Sequence, residues 1–217
     1  MSIVRWEFSP GAWIDARLAL WLEAARLLVV ADLHWGYSAA HRARGNLVPV
    51  WGDELIEQRL RALIADYSPR EMIWLGDCLH AAEGRAGAER FLREASVPVV
   101  AVRGNHDARW QFDGCVSSVV RGTYLFHHGD TPIEVPEGAI EVIGHLHPAV
   151  VWRDGAGTRL KLPALVTSAR RWVLPAFSPW AAGAAWRVTS GETLHAISAK
   201  RIFAIAPVSH DVDTSTR

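Results

Sequence analysis

The run Leu27-Leu28-Val29-Val30-Ala31-Asp32-Leu33-His34 decides how this chain is read. Five apolar residues in succession, Leu27 to Ala31, predict a strand buried on both faces. Asp32 and His34 follow it two residues apart, so an extended continuation would project both side chains to one side. The figure returns downstream, with Asp77 in Ile73-Trp74-Leu75-Gly76-Asp77 and Asn105 in Ala101-Val102-Arg103-Gly104-Asn105. His128 closes Leu125-Phe126-His127-His128, and His145 and His147 close Val142-Ile143-Gly144-His145-Leu146-His147. Most of these donors directly follow an expected strand, as in a two-metal hydrolytic site along one sheet edge.

Outward from that run, the first half alternates strands and helices. Leu55, Ile56, Leu60, Leu63 and Ile64 recur at helical spacing between Asp53 and Tyr67, and Pro69 marks the stop. Met72 to Leu75 predicts a strand, Ala86 to Ala95 a helix and Val97 to Val102 another strand. This series sets helices against a sheet with parallel strands. The second half offers short strands at Val116–Val120, Thr123–His127, Ala139–Ile143, Ala149–Trp152 and Thr158–Leu162. Further candidates are Trp172–Leu174, Ala185–Val188, Leu194–Ile197 and Ile202–Ala206, with turns at Asp154-Gly155 and Ser190-Gly191. A strand-rich half without helices implies a second sheet, hence two sheets face to face with helices outside. The expected organisation is one domain over residues 1–208 and a frayed polar tail over 209–217.

Composition excludes several classes. The 217 residues are 50% hydrophobic and 21% charged, which is globular. Basic and acidic residues balance at 23 each, so bulk charge demands no polyanion. The N-terminus carries no secretory pattern and no apolar run reaches the length of a membrane helix. Cys78 and Cys115 are too few for a disulfide framework. A cytoplasmic protein without membrane contact is the expectation.

A lone histidine at a strand end is usually hydrogen-bonded scaffolding; seven donors with glycines 76, 104, 129 and 144 beside them are harder to dismiss. Aspartate, asparagine and histidine without thiolates suit Mn²⁺, Fe or Zn²⁺. Seven side chains are too many for one tetrahedral ion and suffice for two if a carboxylate bridges.

The motifs Asp32-Leu33-His34, Gly76-Asp77, Gly104-Asn105-His106-Asp107, His128-Gly129 and Gly144-His145-Leu146-His147 resemble those of the calcineurin-like metallophosphoesterases, in the family's order, over about residues 27–148. The resemblance implies an α/β fold, a four-layer β-sandwich of two mixed sheets flanked by helices. It implies one metal held by Asp32, His34, Asp77 and His147, and a second held by Asp77, Asn105, His128 and His145. His127 is the alternative to His128. The resemblance places His106 beside the scissile phosphate, with Asp107 orienting it, and His80 near substrate. Mn²⁺ is the expected ion in vitro, with Fe or Zn²⁺ as alternatives.

A longer resemblance is to small bacterial metallophosphoesterases associated with a DNA ligase and a helicase in repair clusters. It rests on Val30-Ala31-Asp32-Leu33-His34-Trp35-Gly36, Leu75-Gly76-Asp77-Cys78-Leu79-His80, the Pro148 after His147, Leu174-Pro175-Ala176-Phe177 and Ala182-Gly183. It implies a phosphodiesterase or endonuclease acting on DNA, with the ligase and helicase as partners. A phosphoesterase on a small substrate and a non-catalytic repair scaffold are the competing readings. Arg103 and Arg109, with Arg170 and Arg171, are the candidates for phosphate contact, and Trp35, Trp110 and Trp172 for stacking on bases. A homodimer covering a sheet edge is a further expectation.

Overall fold

The structure is a computed structural model and describes residues 3–110, 114–153, 156–181 and 183–205. Chain order begins with a meander, β1 (Arg5–Ser9), β2 (Ala12–Asp15), β3 (Ala19–Leu22) and β4 (Leu27–Val30). Helices α1 (Tyr37–Ala43) and α2 (Gly52–Tyr67) lead to β5 (Glu71–Leu75), and α3 (Arg85–Glu94) leads to β6 (Val99–Val102) and β7 (Cys115–Val116). The remainder is strand: β8 (Ser118–Arg121), β9 (Tyr124–His127), β10 (Ile140–Ile143), β11 (Pro148–Arg153), β12 (Arg159–Thr167), β13 (Arg171–Val173), β14 (Ala184–Ala185), β15 (Thr193–Ile197) and β16 (Ile202–Ile205).

Among the described residues the strands form two mixed sheets. The first runs β1 to β7 in sequence order, antiparallel through β4 and parallel from β4 to β7. The second runs β14-β11-β12-β13-β10-β9-β8, with β15 added on β12 and β16 on β15. Leu28, Val29, Ile73 and Trp74 of one sheet share a single core with Phe126, Val142, Leu165 and Trp172 of the other. On α2, Ile56, Leu60 and Leu63 are wholly buried in that core. Each stabilises by about 1.5–3 kcal/mol relative to exposure. The helix ends at Ser68, whose left-handed backbone (φ 43) precedes Pro69.

The expected elements are present with shifted ends, and three differences have physical causes. Val116–Val120 is two strands, β7 in the first sheet and β8 in the second, because the chain changes sheet at Ser117. Thr158–Leu162 continues to Thr167, since β12 pairs first with β11 and then with β13 and β15. The strand expected over Ala185–Val188 stops at Ala185, where pairing with β11 ends. Residues 37–43, for which the sequence reading marks no element, form α1. The Asp154-Gly155 turn, Ala182, Ala206 and the 209–217 tail lie outside the described residues. Among the described residues no helix is long and apolar enough to cross a membrane.

Candidate metal centre

The loops leaving β4 and β5 run side by side. Asp32 N–H donates to the Gly76 carbonyl (3.1 Å), His34 N–H to Asp77 (2.9 Å) and Trp35 N–H to Cys78 (2.9 Å). The donors do not continue their strands in extended form, as the two-apart spacing suggested. Asp32, His34, Asp77, His145 and His147 are all left-handed, with φ between 42° and 63°. That region costs a non-glycine residue about 1–3 kcal/mol and persists where surroundings over-determine it. As a result Asp32 and His34 fall in one group, while His145 and His147 divide between two. Glycine is required alongside: a Cβ on Gly76 would lie 2.1 Å from His128 Nδ1, and one on Gly104 2.3 Å from Asp77 Oδ1.

Two adjoining groups result, Asp32–His34–His147 and Asp77–His128–His145, each with donor atoms within 4.8 Å of one another. In the second, His128 Nδ1 lies 3.3 Å from the Leu75 carbonyl, to which it donates, as metal-bound imidazoles commonly do. Its Nε2 then faces Asn105 Oδ1 at 3.2 Å, Asp77 Oδ1 at 3.3 Å and His145 Nδ1 at 3.1 Å. Four potential ligand atoms meet there. A single proton satisfies one of those contacts, whereas a cation satisfies all of them, so the donor set fits a metal. The first group repeats the pattern: His147 Nε2 is 3.3 Å from Asp32 Oδ1 without hydrogen-bond geometry, and His34 Nδ1 is buried with no hydrogen-bond partner among the described residues.

Electrostatics agree. Burial pulls His34 down to about 3, reinforced by the neighbouring His147, His106 and His80 and opposed by Asp77, so it stays a neutral donor. At His128 burial also works downward, but the hydrogen bond to Asp77 and the charges of Asp77 and Asp32 carry it to about 9. Burial would raise Asp77, yet His128 and the His106 N–H hold it at about 2.

His106 stands at the rim, 38% exposed, with Nε2 4.0 Å from Asp77 Oδ2 and Nδ1 3.4 Å from the His80 carbonyl. Asp107 does not orient that ring by a hydrogen bond. Its buried carboxylate accepts the N–H groups of Cys78 (3.0 Å), Leu79 (2.9 Å) and Gly104 (3.0 Å), tying the loops after β5 and β6 together. It positions Asn105 and His106 through the backbone. His80 joins His34 and His106 in a third group of converging nitrogens. His127 points elsewhere, with Nε2 2.8 Å from Glu141. Arg103 lines a hollow with Asn105 and His128, and Arg109 lines another with His106. Arg171 is engaged by Glu141. Trp35, Trp110 and Trp172 are buried and offer no stacking face. The rings beside His80 are instead Tyr37 (4.6 Å) and His41 (5.6 Å), with Trp180 on Tyr37 and exposed Trp51 on Trp180. Their approach depends on α1, which the sequence did not disclose.

Carboxylate, amide and imidazole donors gathered at the strand ends of a two-sheet sandwich define a class, the metal-dependent hydrolases. Within it the chain belongs to the calcineurin-like phosphoesterases, whose family model matches residues 25–149. The crystal structure of the Pseudomonas putida nuclease MPE is similar at a TM-score of 0.73 and 28% identity, covering 94% of this chain and 100% of that one. YfcE, a phosphoesterase from E. coli, gives a TM-score of 0.45 at 18% identity, covering 83% and 98%. No curated protein sequence matches the chain significantly.

Proposed function

We propose that the protein is a dinuclear metal-dependent phosphodiesterase that cuts DNA and serves in DNA repair. The convergence of Asn105 Oδ1, Asp77 Oδ1 and His145 Nδ1 on His128 Nε2 carries the metal part of this reading. Similarity to a nuclease along nearly the whole chain supports the substrate class. One cation would be held by Asp32, His34, Asp77 and His147, and the other by Asp77, Asn105, His128 and His145. Asp77 suits the shared position because its charge acts on both His34 and His128. Mn²⁺ fits these donors, as do Fe and Zn²⁺.

When bound, such a pair supplies hydroxide near neutral pH and neutralises phosphoryl charge. The chain's own residues do the rest. His106, at the solvent edge beside Asp77, protonates the leaving oxygen or stabilises its charge. The His80 carbonyl and the Asp107 brace hold it there. Attack is in line on phosphorus, with no covalent enzyme intermediate.

The test loads the protein with Mn²⁺ and compares single- and double-stranded DNA, bis(p-nitrophenyl) phosphate, p-nitrophenyl phosphate and 2′,3′-cyclic nucleotides. DNA and the simple diester should both be cleaved. Intact DNA alongside rapid turnover of a small ester would overturn the DNA reading, and no turnover of any ester would leave a scaffold.

A further inference from the structure

A cleft of about 350 Å³ opens beside the group containing His147. His147 forms part of its wall, together with Arg59, Lys161, Ser178 and the rigid Pro148, Pro163 and Pro179. His106 does not line it, but borders a separate hollow with Arg85 and Arg109. No carboxylate is among the described residues lining the cleft.

The two cations of this cleft have no described ion pair. Arg59 Nη1 donates to the Phe177 carbonyl at 3.2 Å, and Lys161 Nζ to that of Gly183. A guanidinium has five N–H donors and an ammonium three, so most are left over. Three acids of α2 are engaged elsewhere, Glu57 by Arg61 and Arg90, Asp66 by Arg17 and Asp53 by the Gly36 N–H. Half-burial lowers the Arg59 pKa, with no carboxylate opposing the shift. Cations 102 positions apart in sequence are thus held beside one cleft without a counter-charge, an arrangement an anion relieves. Leu18, Arg59 and Pro163 also line a second hollow of about 370 Å³, so the groove continues away from the metal centre.

We infer that this groove holds the phosphodiester neighbouring the scissile one along a polynucleotide strand, with Arg59 and Lys161 gripping its oxygens. Arginine offers a planar pair of donors and lysine a point charge, the combination that positions a backbone phosphate without reading its base. The inference rests on the phosphodiesterase reading above and narrows it to substrates carrying a second phosphate.

The experiment sets oligothymidylate against bis(p-nitrophenyl) phosphate, which has one phosphate. Lys161→Ala and Arg59→Gln should each raise KM for the oligonucleotide about tenfold, the scale of one charged hydrogen bond. KM and kcat for the simple diester should stay within about twofold, and Lys161→Arg should restore much of the loss. An unchanged oligonucleotide KM, or equal losses on both substrates, overturns the inference. Preference for the 5′-phosphorylated dinucleotide pTpT over TpTpT would assign the groove to a terminal phosphate and overturn the internal diester. An independent arm titrates thymidine 3′,5′-bisphosphate into metal-free protein by calorimetry. Binding lost in Lys161→Ala supports the groove, and equal binding in both overturns it. Should wild type cleave no ester at all, the functional reading fails on that result while this arm still judges the groove.

Discussion

His127 and His128 are consecutive, both buried, and each lies close to a carboxylate, yet they occupy opposite electrostatic situations. His127 belongs to a closed set: its Nε2 meets Glu141, whose other oxygen takes Arg171. Every charge there has its partner. His128 belongs to an open set in which three further donor atoms of like polarity crowd one nitrogen. Completeness of pairing, and not residue type, therefore separates scaffold from candidate site.

The largest effect that would break this contrast is on turnover. Asp77→Asn should lower hydrolysis of bis(p-nitrophenyl) phosphate by about a thousandfold or more, since it removes the charge both groups share. Glu141→Gln should leave it within about threefold; comparable losses in the two would erase the distinction. His106→Ala should cost about 10²–10⁴-fold in kcat, the range of a general acid or base, with bound metal unchanged by elemental analysis. A loss of metal instead would make His106 a ligand.

The next effect is on stability. Glu141→Ala leaves the buried His127 nitrogen unmatched and should cost about 1–3 kcal/mol in a urea titration. The last effect is on pH dependence, and the two sets differ in sign. Burial would raise the Glu141 pKa, but Arg171 and His127 hold it below 4.5. Its contribution is present above pH 4.5 and fades as pH falls through the lowered value. His128, lifted from 6.5 to about 9, contributes in metal-free protein fully below pH 6.5, and the contribution is lost as pH rises through about 9. Urea midpoints across pH, compared for wild type, Glu141→Gln and His128→Gln without metal, should separate these limbs. Mn²⁺ should abolish the alkaline limb by displacing the proton.

Much of this was legible in the chain because strand and helix periods are written residue by residue. Leu27–Ala31 and the Ile56, Leu60, Leu63 stripe pointed to the layers, and the donors after the strands pointed to the candidate site. The meander β1–β3 was missed although Arg5–Ser9 alternates polar and apolar residues: its burial does not follow that alternation, Trp6 being exposed, and β2 and β3 are only four residues each. Helix α1 was missed because seven residues behind a left-handed Gly36, without a side-chain cap, carry little helical signal. The left-handed backbone at five donors is set by loop-to-loop pairing, which no local pattern records. Arg59 and Lys161 were unremarkable for a related reason, since only the fold brings them to one cleft.

The Asp107 brace has a consequence for motion. Loop amides ordinarily trade hydrogen for deuterium quickly, but those of Cys78, Leu79 and Gly104 are capped by one buried carboxylate. In an exchange experiment these three protons should persist as long as those of the flanking strands. The rim of the centre would then open only when the whole sandwich does.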